Sequence, residues 1–99
     1  MTQHTLRPGP ALTLVTAPGC HFCEDAHRHL EGMIASGVPL QLRVVEATSA
    51  EGRSLLAEHR PAMNPLLIVD GTYFSAGRLP RRKLDSLLSG TPGIGAGRG

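Results

Sequence analysis

Apolar and polar residues alternate along this chain in blocks that predict its elements in order. Ala11-Leu12-Thr13-Leu14-Val15-Thr16 is β-branched and mostly apolar, and it predicts a strand buried on both faces, stopped by Pro18-Gly19. Phe22, Ala26, Leu30, Met33 and Ile34 then recur at helical spacing. They predict a helix that begins at or just after Cys20 and buries those five side chains. Glu24 and Asp25 fall in its first turn, where acids complement the helix dipole, and Ser36-Gly37 with Pro39 beyond marks its end. Leu40 to Glu46 alternates early, as a strand at a sheet edge does. Strand, helix and strand form a βαβ unit, which requires parallel strands and a right-handed crossover.

Thr48-Ser49-Ala50-Glu51 fits a capping box ahead of a second helix, about Ser49 to His59, with Leu55 and Leu56 inward. Gly52 should weaken that helix by roughly 1 kcal/mol relative to alanine. Arg60-Pro61 ends it. Pro65 to Val69 is a third strand; a proline can only open such a strand or lie on an edge. Asp70-Gly71 is a strong hairpin signal, so Thr72 to Ser75 returns antiparallel. Gly77 breaks that strand. Pro80 stands at the first position of a last helix, Pro80 to Ser89, with Leu84, Leu87 and Leu88 inward. The order is β-α-β-α-β-β-α: an α/β domain with a four-stranded mixed sheet and three helices.

Composition narrows this further. With 99 residues the chain is one domain. Residues 1–10, with Pro8-Gly9-Pro10, read as a flexible arm, 11–89 as the folded domain, and 90–99 as a flexible glycine-rich tail. A core this small can be built from two layers, a sheet covered by helices. Phe22, Tyr73 and Phe74 are the only aromatic side chains besides histidine, so the core must be mainly Leu, Val, Ile and Ala. A formal charge of +2 is too mild to argue for nucleic acid. No stretch has the length of a membrane span, and the first residues lack a signal-peptide core, so a cytoplasmic protein is expected.

In a reducing compartment a Cys-x-x-Cys pair points to catalysis or metal binding rather than to a structural staple. Cys20 and Cys23 are the only cysteines, and they sit at a strand-to-helix junction. That is the local signature of a thiol–disulfide redox site. One helical turn brings the second sulfur near enough to resolve a mixed disulfide made at the first. Unpaired N–H groups at a helix N-terminus stabilise a thiolate and lower its pKa from about 8.5 toward 7 or below. Cys20, at the turn, fits the nucleophile, and Cys23, on the buried side, fits the resolving thiol. His21 between them either tunes the Cys20 thiolate when protonated or is an exposed loop residue. A metal reading would take Cys20, Cys23, His27 and His29 as ligands, although no second Cys-x-x-Cys closes a tetrahedral site. A non-catalytic module holding zinc, an iron–sulfur cluster or a protein partner is the alternative to an enzyme. Arg81-Arg82-Lys83 in the first turn of the last helix either contacts an anion or partner or forms a solvated face.

Several stretches together resemble a glutaredoxin-like protein of the thioredoxin fold, in the small bacterial group whose motif reads Cys-His-x-Cys. They are Leu12 to Thr16, Pro18-Gly19-Cys20-His21-Phe22-Cys23 with Glu24-Asp25-Ala26, Asn64-Pro65-Leu66-Leu67-Ile68-Val69-Asp70-Gly71, and Ala76-Gly77-Arg78-Leu79. The resemblance implies a disulfide oxidoreductase with no cofactor and a cis-proline at Pro65 facing the cysteines. It implies an Asn64 backbone that pairs with an extended substrate, Gly77 near the end of a bound thiol, and Pro18 and Phe22 beside the substrate. A monomer is expected, acting on a low-molecular-weight thiol disulfide or a protein disulfide and fed by a thiol or a flavoprotein reductase. The motif departs from the usual Cys-Pro-Tyr-Cys. No lysine precedes it, Met63-Asn64 stands before the proline, and Ala76-Gly77 replaces a glycine pair. The thiol is therefore open between glutathione, another small thiol and a protein disulfide.

Overall fold

A computed structural model describes residues 9–88. The expectations for the first eight residues, for Ser89 and for the 90–99 tail lie outside that range. The elements are β1 (Ala11–Thr16), α1 (His21–Ala35), β2 (Gln41–Glu46), α2 (Ala50–His59), β3 (Leu66–Val69), β4 (Thr72–Ala76) and α3 (Arg81–Leu88). Their order is the one the hydrophobic pattern predicts. The sheet runs β2-β1-β3-β4. β1 is parallel to β2 and antiparallel to β3, and β3 is antiparallel to β4.

The alternation of side chains along each strand sorts the core into two halves. Leu12 and Leu14 of β1 and Leu67 and Val69 of β3 point to one face, against Ala26 and Leu30 of α1 and Leu84 of α3. Val15, Leu66 and Ile68 point to the other, beside Val45 and against the half-buried Leu55 and Leu56 of α2. Helices therefore cover both faces, making three layers where two were expected. A central pair of strands that is apolar on both sides must be covered twice. β2 lies at an edge, as its early alternation predicts, and Arg43 and Val44 stand exposed there.

The buried stripes are narrower than the periodicity suggests. In α1 the buried residues are Cys23, Ala26 and Leu30, while Phe22 is 41% and Ile34 38% exposed. At 100° per residue those two fall on the flanks of the arc centred on Ala26 and Leu30, where the sheet no longer covers them. Leu87 of α3 is exposed for the same reason, and Leu84 alone is fully buried. The cap of α2 is shifted by one residue. Ser49, not Thr48, is the N-cap, its hydroxyl accepting from Gly52 N–H at 3.0 Å.

Glu51 does not reach back to close a capping box. It turns to the β2 edge, where Arg43 Nη1 donates to Oε1 at 2.8 Å and Nη2 lies 2.6 Å from Oε2. That hydrogen bond, helped by the guanidinium charge, holds the Glu51 carboxyl below the ordinary glutamate range. The folded-state pKa is depressed, so the contribution to stability is present above the unfolded pKa and is lost as pH falls through the folded value. Arg43→Gln should raise the Glu51 titration midpoint toward that of a free glutamate, read by carboxyl NMR. The variant should also lose stability less steeply than the parent on acidification through that window.

Candidate active site

β1 ends at Thr16, and Ala17-Pro18-Gly19 carries the chain to α1. Cys20 is the N-cap residue, in extended conformation, and its Sγ accepts from Cys23 N–H at 3.1 Å. A sulfur here takes the place that a serine or aspartate oxygen usually fills, against the orphan amides of the first turn. Cys20 and Cys23 are joined as a disulfide, with Cα atoms 5.2 Å apart. Their exposures differ. Cys20 is partly exposed, whereas Cys23 is 2% exposed and its Sγ accepts from Ala17 N–H at 3.5 Å.

The strand register brings distant residues to the same end of the sheet. Leu66 pairs with Val15, so Pro65, one residue earlier, lies beside the end of β1 from which the cysteine loop departs. Leu66 also pairs with Ala76, which places Gly77 across from Pro65, and Gly77 N–H donates to the Pro65 carbonyl at 2.9 Å. The Asn64-Pro65 peptide is cis. Met63, half exposed, lies over Gly77. The chain thus combines a parallel β1–β2 pair, two antiparallel strands after it, a Cys-x-x-Cys disulfide capping the first helix, and a cis-proline just before β3.

This is the thioredoxin fold. The chain superposes on a mutant thioredoxin-like protein with TM-score 0.63 at 19% identity, over 79% of this chain and 94% of the other. It superposes on the oxidised form of mitochondrial thioredoxin 3 from Saccharomyces cerevisiae with TM-score 0.60 at 15% identity, over 81% and 77%. It also matches a thioredoxin-like protein from Clostridium perfringens, TM-score 0.65 at 9% identity, over 84% and 71%. No protein-family model and no curated relative matches the sequence.

Within this thioredoxin fold most residues singled out in the sequence meet at one end of the sheet. Cys20, His21, Phe22 and Cys23 share the start of α1, Asn64 and Pro65 lie just before β3, which pairs with β1, and Gly77 follows β4 on the far side of β3. Pro18 is exposed in the loop before the cysteines, and His21 is exposed as well. The zinc set does not assemble. Among the described residues no group of three or more His, Cys, Asp or Glu is placed to hold a metal. His27 instead faces Glu31, 3.2 Å away, and the Nε2 of the half-buried His29 finds no hydrogen-bond partner. Among the described residues no helix is long and apolar enough to cross a membrane.

The fold adds residues that sequence reasoning passed over. A cleft of about 700 Å³ opens beside the disulfide, with His21 and Phe22 of the cysteine motif in its wall and Leu79 at its base. Charged side chains complete it: Glu24, Asp25 and Arg28 from α1, Arg78 from the segment before α3, and Arg81 from the first residue of α3. Arg81 Nη2 donates to both carboxylate oxygens of Asp25, at 3.0 and 3.1 Å. The basic run at the start of α3 is thus divided. Arg81 is held by Asp25, Lys83 Nζ sits 5.0 Å from the Phe74 ring centre, and Arg82 is left exposed. Asp25 and Arg81 are 56 positions apart, and nothing local in the sequence joins them.

Proposed function

We propose that this chain is a thiol–disulfide oxidoreductase whose nucleophile is Cys20 and whose resolving thiol is Cys23. The observation that carries the reading is the disulfide capping α1, with Cys20 partly exposed and Cys23 buried. This difference in exposure supports Cys20 as the sulfur that a substrate would meet. The Cys23 N–H already directed at it, and the other first-turn amides, supply the partial positive charge that favours its thiolate.

The reaction balances in two displacements. The Cys20 thiolate attacks one sulfur of a substrate disulfide, forming a mixed disulfide and expelling the first substrate thiolate, which takes a proton from solvent. Cys23, once deprotonated, attacks the Cys20 sulfur, forms the intramolecular disulfide and expels the second thiolate. Two electrons pass from the protein dithiol to the substrate. A thiol or flavoprotein reductase returns them in the reducing cytoplasm where such a cycle is sustained. An extended substrate would pair with the Asn64 backbone at the open end of β3, with Phe22, Pro18 and Gly77 around its sulfur.

The test uses protein reduced and then freed of reductant. Mixed with hydroxyethyl disulfide, it should release two mercaptoethanol molecules per chain as the Cys20–Cys23 disulfide forms, while Cys20→Ser should release none. Failure of the unaltered protein to release thiol overturns the reading.

A further inference from the structure

We infer that Met63 is a site of reversible oxidation by peroxide, and that its sulfoxide slows the reaction at Cys20. Nothing in the disulfide cycle uses this thioether, yet the fold sets it at the redox end of the sheet. Met63 precedes Asn64-Pro65, and Pro65 lies beside the end of β1 from which the cysteine loop departs. Its side chain is half exposed, whereas Met33 is partly buried and packed against the core. Once Cys20 and Cys23 are joined, no free thiol remains. Met63 is then the most exposed sulfur-bearing residue among the described ones. The reaction is an oxygen transfer. A lone pair on Met63 Sδ attacks one oxygen of hydrogen peroxide, the O–O bond breaks, and the departing hydroxide takes the proton left on the transferred oxygen. Sulfoxide and water result, with two electrons passing from the thioether to the peroxide.

The packing around Met63 gives that oxygen a consequence. A Cβ on Gly77 would stand 2.7 Å from Met63 Sδ and 2.9 Å from its Cγ, so the thioether fills the space that the glycine leaves. A sulfoxide is polar and needs a hydrogen-bond donor or water. The Gly77 N–H already donates to the Pro65 carbonyl at 2.9 Å and is committed. The new oxygen therefore turns to solvent and draws the side chain off Gly77. Residues 63–65 lose that contact and shift beside the cysteine loop, and small displacements next to a reacting atom are costly in rate. Thiols reopen the Cys20–Cys23 disulfide but leave the sulfoxide, so the mark outlasts the redox cycle until a methionine sulfoxide reductase removes it. The effect on rate rests on the oxidoreductase reading, whereas the modification itself does not.

The test starts from the full chain in its disulfide form, treated with hydrogen peroxide and then freed of it. Peptide mass mapping should find sulfoxide forming several-fold faster at Met63 than at Met33. The treated protein is next reduced with dithiothreitol, freed of reductant and mixed with hydroxyethyl disulfide. Its rate of mercaptoethanol release should be several-fold below that of untreated protein. Methionine sulfoxide reductases of both epimer specificities, applied before the assay, should restore the rate as the Met63 sulfoxide disappears. Met63→Leu protein should show the same rate before and after peroxide, although Met1 and Met33 are still present. Oxidation of Met33 as fast as of Met63 overturns the inference. So does an unchanged rate with Met63 fully converted, a rate that stays low after repair, or a Met63→Leu protein slowed as much as the parent. Each of these leaves the oxidoreductase reading standing. Untreated protein that releases no mercaptoethanol overturns that reading and the inference together.

Discussion

Reduced Cys23→Ser protein, given hydroxyethyl disulfide, is expected to stop halfway and carry one mercaptoethanol group on Cys20. The Cys20 sulfur is partly exposed at the helix N-cap and keeps its amide partner in the variant, so the first displacement proceeds. The second sulfur, the one that would expel the group, is gone. Intact-mass measurement should show occupancy approaching one adduct per chain, whereas the unaltered protein passes on to its internal disulfide. The reverse variant, Cys20→Ser, should collect no adduct, because Cys23 is 2% exposed and lies beneath the loop whose Ala17 N–H it accepts. An adduct on Cys23 in that variant would reverse the assignment of the two sulfurs.

Replacing Gly52 with alanine should be among the most damaging single changes in the domain. Gly52 lies in the first turn of α2, directly against the end of β2. A Cβ there would collide with the Glu46 carbonyl oxygen, and would stand 2.8 Å from the Glu46 carbonyl carbon and 2.9 Å from the Ala47 Cα. All three are main-chain atoms of a strand end that Ala47 N–H ties to the Thr16 carbonyl at 2.7 Å, so they cannot give way cheaply. In an isolated helix the change would favour folding by roughly 1 kcal/mol. Here overpacking should reverse the sign and cost about 2–3 kcal/mol. For a domain of this size that is a fall in Tm of roughly 10–20 °C, read by circular dichroism. Gly52 thus carries a meaning opposite to the one its helical position suggests. It is the point at which α2 is allowed to approach the sheet.

The contrast shows where the sequence is informative. Short-range signals carried the element order: the β-branched runs of β1 and β3, the Asp70-Gly71 turn, and the proline opening β3. The βαβ unit and the hairpin account for the β1–β2 and β3–β4 pairings, whereas the β1–β3 pairing that brings Pro65 to the cysteines follows from neither and is implied only by the family resemblance. Signals that depend on what packs opposite were less legible. Whether Phe22 and Ile34 are covered depends on how far the sheet extends beneath α1. Whether Glu51 caps its helix or bonds Arg43 depends on the neighbouring strand lying within reach. The cleft is the extreme case. Asp25 and Arg81 acquire a shared meaning only once α1 and α3 lie on the same face of the sheet, and until then Arg81-Arg82-Lys83 reads as one undivided basic run.

The redox end of the molecule is held mainly by main-chain bonds. The end of β1 is paired with the start of β3, the start of β3 with the end of β4, and Gly77 with Pro65, all through backbone hydrogen bonds. The amides that meet the two sulfurs, from Ala17 and Cys23, are backbone as well. Such a framework asks little of the side chains around it beyond size and polarity. Over evolutionary time, the residues surrounding the cysteines are free to change substrate and partner while the position of the reacting sulfur stays the same.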